Sequence, residues 1–180
     1  VPFEAAGVRS GDTTIGHKIH DPRPFAVRSF ADYKAGLAER GVVIDAAERR
    51  AIIQAQVEAK LAPLAAKLHP DPALLDKLVS DVESPCVVLG AFAKDYLALP
   101  LELLSTAMRE GQHLFSVVKD KKQLPYFVGV ADARDDAASL IVKGNERVLR
   151  ARLEDARFFW EQDLKTPLSK RAPALKQVVF

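Results

Sequence analysis

From Asp136 to Asp163 apolar residues return at three- and four-residue spacing, which predicts one long amphipathic helix with Gly144 as its weak point. No other feature constrains the fold as much, because an apolar stripe of that length needs a second layer to lie on. With Val148 placed at zero and about 100° added per residue, Val148, Leu149, Leu153, Ala156, Phe159 and Trp160 fall within about 140° of one another. They form the expected core stripe, and Phe158 points away from it. Arg147, Arg150, Glu154, Arg157 and Glu161 gather on the opposite side. There Arg150–Glu154 and Arg157–Glu161 stand four residues apart, the spacing of surface ion pairs that contribute about 0.3–0.5 kcal/mol each. On pattern alone this is a solvated face that neutralises itself. Arg152 is different, because it falls inside the apolar arc and needs a partner there. Two readings stay open: a pair with Asp155 at the edge of the core, or a guanidinium at a groove edge that grips a phosphate.

The rest of the pattern is mixed. Residues 1–28 read as loop with short strands around 14–19 and 25–28. A short helix follows, capped by Ser29 and ended by Gly41. Asp45 caps a long helix with Ile52, Ile53, Val57, Leu61, Leu64 and Leu68 at helical spacing, kinked or divided at Pro63. Asp71 or Pro72 opens another, with Leu74, Leu75, Leu78, Val79 and Val82 on its inner side and Pro85 as its stop. "CVVLGAF" (86–92) suggests a buried strand, and Pro100 starts a further helix. "HLFSVV" (113–118) and "LPYFVGVAD" (124–132) are strand-like runs joined by a hairpin-type connection. Pro167 and Pro173 break the tail. The expected class is α+β: one domain over 1–180, with a mixed or antiparallel sheet, packed helices and a long C-terminal helix.

Charge argues against a general polyanion binder, since 26 Lys/Arg face 24 Asp/Glu and the net charge is +2. The balance is uneven, however: residues 140–180 hold nine basic and five acidic residues. Cys86 is the only cysteine, so no intrachain disulfide is possible and a reduced, cytoplasmic compartment is expected. No apolar run approaches the length of a membrane span, and no signal-peptide pattern is present. Val1 at the start and "KQVVF" at the end read as an internal piece cut from a longer polypeptide.

Candidate chemistry is sparse. His17 and His20 in "GHKIH" have metal-like spacing only on a helix, which the surrounding Gly and Pro disfavour. They are expected at a turn or surface, and no metal set is completed. "SGDTTIG" lacks the pattern of a phosphate loop. Ser80, Ser84, Ser105 and Ser116 have no His and Asp set beside them in the sequence that would mark a nucleophile. Arg109, Gln112 and His113 stand at the mouth of a strand, where a ligand contact and plain solvation are both open. "DVESP" and "ADARDD" read as turn and cap acids.

Five stretches together resemble one family, the beta subunit of the bacterial heterotetrameric glycyl-tRNA synthetase. They are "GVRSGDTTIGHKIH" (7–20), "VVIDAAERRAIIQAQVE" (42–58), "PLELLSTAMREGQHLF" (100–115), "LPYFVGVAD" (124–132) and "IVKGNERVLRARLEDARFFWEQDLKTPL" (141–168). The last is the most specific. Departures are Ser84, Gly111, Ala151 and Asp132, where the family tends to have Trp, an acid or His, Pro, and Asn. The resemblance implies a fold similar to the editing module of the phenylalanyl-tRNA synthetase beta chain. It implies a subunit that recognises tRNA(Gly) while an alpha subunit carries glycine, ATP and magnesium, so no cofactor is expected in this piece. Other expected partners are the remaining beta-subunit domains, an HD-like one and an anticodon-binding one. In that setting the expected RNA contacts are Lys143, Arg147, Arg150 and Arg152, with Arg109 and Lys165 behind them, and no residue of this piece is expected to be catalytic. Two other functions stay open: deacylation of mischarged tRNA, and a purely structural scaffold.

Overall fold

A computed structural model describes residues 3–173. Val1, Pro2 and most of the apolar end, Lys176–Phe180 included, lie outside the described residues. The chain opens with two short antiparallel ribbons, β1 (Glu4–Ala5) with β2 (Val8–Arg9), and β3 (Thr13–Ile15) with β4 (Pro24–Ala26). The strand expected over 14–19 thus stops at Ile15. The next residues turn inward, because the His17 ring collects backbone donors instead of pairing with a strand.

Helix α1 (Phe30–Glu39) is capped by Ser29, whose hydroxyl accepts from the Asp32 amide at 3.1 Å. Helix α2 (Ala46–Leu61) is capped by Asp45, which accepts from the Ala47 amide at 2.7 Å. The helical pattern expected to run on to Leu68 ends at Leu61. Pro63 cannot donate to the ladder, the chain makes a 3-10 turn at Ala62–Leu64, and Ala65 turns left-handed. The freed residues form strand β5 (Lys67–Leu68). Asp71 caps α3 (Pro72–Asp81) through the Leu74 amide at 2.9 Å. Pro85 is the first residue of strand β6 (Pro85–Ala91), where no ladder donor is required of it.

After a 3-10 turn at Lys94–Ala98, α4 (Leu101–Gln112) leads into the hairpin of β7 (Phe115–Lys119) and β8 (Lys122–Asp132). Asp120 and Lys121 both adopt positive φ, as a two-residue hairpin turn of this hand requires. A 3-10 turn at Asp135–Ala137 precedes α5 (Ala138–Lys165), which passes through Gly144 without a break. At 28 residues it is about 42 Å long. The short helix α6 (Leu168–Arg171) folds back on it, with Arg171 paired to Asp163 at 2.8 Å.

Strands β5, β7, β8 and β6 form one antiparallel sheet in that order. Alternation along the strands gives it two apolar faces. One carries Val87, Phe115, Val117 and Val128 against Ile53 and Leu61 of α2 and Leu74, Leu78 and Val79 of α3. The other carries Phe127 against Leu104 and Met108 of α4 and Leu149 and Leu153 of α5. The sheet is therefore covered on both sides. This is why "CVVLGAF" is apolar without alternation.

Candidate functional site

The face that α5 buries is rotated from the one expected. Leu149 and Leu153 are its buried residues, and Trp160 packs half-buried on the same cluster. Val148 and Phe159, expected in the core, are 46% and 63% exposed. The contact is centred where α4 and β6 lie, not on the middle of the apolar arc. Arg152 consequently sits outside the core and is exposed. It makes no pair with Asp155 among the described residues. Its guanidinium lies flat against Gly111 of α4, where a Cβ would come within 2.5 Å of Arg152 Cζ.

The charge pairs of the outer face also differ from expectation. Glu154 accepts from the Tyr96 hydroxyl, which arrives from the 3-10 turn, and from Arg157 at 2.6 Å. Arg157 also reaches Asp95 at 3.1 Å and lies over the Tyr96 ring. The expected pairs Arg150–Glu154 and Arg157–Glu161 are not formed. Burial and the neighbouring Glu154 carboxylate push the Tyr96 hydroxyl up to about 12. The hydrogen bonds from Tyr96 and Arg157 hold the Glu154 carboxyl below its usual range. Arg150 is left beside a cleft of about 370 Å³ lined by Asp95, Tyr96, Glu146 and Glu154.

Lys143, Arg147 and Arg150 share one side of α5, within about 60° of one another, and Arg150 is the one nearest the buried Leu149–Leu153 side. All three are exposed, and none has an ion-pair partner among the described residues. Between Ala138 and Leu153 Glu146 is the only acid, and it is held by the Ala91 amide at 2.9 Å. Arg152 stands about 160° around the helix from Arg150. Arg109 is not free: Asp71 binds its Nε at 2.7 Å, and Glu110 takes its other edge. Lys165 closes the far end of α5, about 33 Å from Lys143. The fold thus gathers three of the six candidate cations and places the others apart.

A second polar cluster was not anticipated. His17 opens a turn, one of the two positions expected, with the Asp21 amide bonded to its carbonyl at 3.0 Å, but at 2% exposure it is not at the surface. Its Nδ1 accepts from the Ile19 and His20 amides at 3.2 and 3.3 Å. Its proton therefore sits on Nε2, which faces Asp132 Oδ1 at 3.0 Å. The same oxygen accepts from the Glu83 and Ser84 amides at 3.0 and 2.7 Å. His17, Glu83 and Asp132 bring metal-type atoms within 4.8 Å of one another. With these donors converging on Asp132 Oδ1, the geometry is that of a latch tying the N-terminal ribbons to the end of β8. Burial opposes ionisation of Asp132, but the Ser84 amide, the His17 ring and the Glu83 amide outweigh it and hold its carboxyl below the usual range.

That direction fixes a sign. A depressed folded-state value stabilises the protein at neutral pH, and the contribution fades as pH falls through it. Asp132→Asn keeps an acceptor for the same donors. Thermal unfolding is therefore expected at a lower temperature than in the parent at pH 7, with a shallower loss below about pH 4, so that the two curves converge in acid. Parallel acid limbs would show that the Asp132 charge contributes nothing.

Elsewhere, Ser80 and Ser105 donate to backbone carbonyls of their own helices, and Ser116 Oγ is buried without a partner. None of these three engages a histidine. Ser116 lines a small cleft of about 180 Å³ with His69, Asp71 and Arg109. Burial first, then Asp135, pushes the Cys86 thiol up, as suits an inert core residue. No helix among the described residues is long and apolar enough to cross a membrane.

Comparison with known proteins bears on the whole chain. The family model described as "Glycyl-tRNA synthetase beta subunit" matches residues 1–180. The glycine–tRNA ligase beta subunits of Syntrophotalea carbinolica and Geotalea daltonii are each 42% identical over 181 residues, covering 100% of this chain and 26% of each relative. That of Cereibacter sphaeroides is 42% identical over 186 residues, covering 27% of the relative. The chain spans about a quarter of the length of these curated relatives. A match that runs through the ribbons, the sheet and the basic helix alike leaves one assignment: the chain belongs to the glycyl-tRNA synthetase beta subunit family.

Proposed function

We propose that this chain is the tRNA-positioning part of a cytoplasmic glycine–tRNA ligase beta subunit. It forms one α+β domain whose fold is akin to the editing module of the phenylalanyl-tRNA synthetase beta chain. It holds tRNA(Gly) while an alpha subunit, binding ATP and magnesium, carries out aminoacylation. The family supports the enzyme, and one observation supports the role: Lys143, Arg147 and Arg150 project from one side of α5 with no acid paired to them among the described residues. Cations without a direct ion-pair partner remain free to replace the counterions of a phosphate backbone. Such contacts position RNA without reading its sequence. Arg152, on another side of the same helix, marks a second contact, while Arg109 and Lys165 lie further from this strip.

The test is a charge reversal in the assembled enzyme, Lys143→Glu with Arg147→Glu and Arg150→Glu. Binding of tRNA(Gly) should weaken at least about tenfold, and the slope of log affinity against log salt should become shallower by about two to three. An unchanged slope removes the strip from the RNA path. Release of amino acid from mischarged tRNA by the beta subunit alone would favour the deacylase reading.

A further inference from the structure

The two halves of α5 carry opposite surfaces. Beyond Leu153 the helix holds four acids, Glu154, Asp155, Glu161 and Asp163, against Arg157 and Lys165. The same half exposes Phe158, Phe159 and Leu164 at 56%, 63% and 68%. These three residues point in three directions: Phe158 lies about 100° from Phe159 on one side, and Leu164 about 140° on the other. The two phenylalanines touch edge to face at 5.4 Å. Trp160, between them and Leu164 in sequence, is the one large side chain here that packs on the core. Large apolar side chains spread over about 240° of a helix, only part of it packed on this core, mark a helix end suited to being enclosed, with most of its charges left on the remaining sector.

The charge decides what encloses it. Asp155 and Glu161 have no ion pair among the described residues, and Asp163 is paired with Arg171. A polyphosphate would be repelled, so this end is not a stacking platform for RNA. The complementary surface is protein, apolar at its centre with Lys or Arg at its rim. The matched relatives are about four times as long as this chain, so most of such a subunit's polypeptide lies outside it. We infer that the Phe158–Leu164 end of α5 is buried in the full-length beta subunit against another part of the same polypeptide. The helix then works as a strut, with its basic half open and its acidic, apolar half seated in a neighbouring domain.

The experiment uses the full-length beta subunit alone, without alpha subunit or RNA. Amides from Phe158 to Lys165 should exchange hydrogen at least about tenfold more slowly than a freely fraying helix end. Phe159→Asp combined with Leu164→Asp should abolish that protection and lower Tm by several degrees. If that variant does not fold, Phe158→Cys serves, with the introduced thiol located by peptide mapping. It should react with a thiol reagent about 100-fold more slowly in the native subunit than in denaturant. Fast exchange in the parent subunit, or equal labelling rates, overturns the inference. Protection that appears only on adding alpha subunit, only on adding tRNA, or only as subunit concentration rises assigns the face to that occupant and overturns it as well. None of these readouts depends on the RNA contacts of the other half.

Discussion

Phe127→Ala lowers the free energy of unfolding by about 3–5 kcal/mol, read from urea unfolding at constant slope. Phe127 is fully buried at the centre of the sheet face that α4 and α5 cover, among Leu104, Met108, Leu149 and Leu153. Its cluster draws on the turn at Lys94–Ala98, α4 and α5 as well as β8, so truncation leaves a space that no single side chain can refill. Its register partner on β6 is Gly90. A methyl group there would overlap the Phe127 ring, which makes the glycine a packing requirement. Gly90→Ala alone should cost about 1–3 kcal/mol through forced displacement of that ring. Combined with Phe127→Ala it should cost less than the sum, because the new methyl enters the vacated space. Strictly additive effects would mean that the two positions do not share one volume.

Arg49→Met costs about 3 kcal/mol, and Arg49→Lys recovers less than half of it. Arg49 donates from Nε to the Val79 carbonyl at 2.8 Å and from Nη1 to the Val43 and Ile44 carbonyls, each at 2.7 Å. One guanidinium thus joins the connection before α2 to the last turn of α3, beside the Val43 amide bond to Glu83 at 2.9 Å. Removing a donor from a half-buried carbonyl costs about 1–3 kcal/mol, and three are orphaned here. An ammonium cannot span the same fork. Hydrogen exchange should show the Val43 amide opening in both variants before the sheet does. A loss under about 1 kcal/mol in Arg49→Met would mean that water replaces the side chain without penalty.

Local patterns were read correctly where they act over a few residues. Ser29, Asp45 and Asp71 each cap the helix expected of them, because a cap bonds two or three residues ahead. The apolar run around Cys86 became the buried strand, and the two later runs became a hairpin. Pro63 divided the helix as expected, but the apolar residues beyond it did not resume the helix and Lys67–Leu68 became a strand instead. In α5 the periodicity located the helix to within two residues, but not the direction in which it faces. Several apolar side chains lie around that helix, and only the position of α4 and β6 selects Leu149 and Leu153 over Val148 and Phe159.

The candidate site divides along the same line. The basic bias of residues 140–180 and the five family-like stretches, the "GNERV" run most specific among them, are properties of the sequence, and they indicated the family and the helix that carries the cations. Which cations stay free was settled by tertiary structure. Tyr96 takes Glu154 from 58 residues away and Asp95 takes Arg157 from 62, so Arg150 loses the partner its spacing had promised. Arg109 is claimed by Asp71, 38 residues distant, and His17 finds Asp132 at the far end of the sheet. Helical periodicity and caps are decided by near neighbours in the chain. Ion pairing and burial are decided by whichever groups the packed layers bring within a few ångströms.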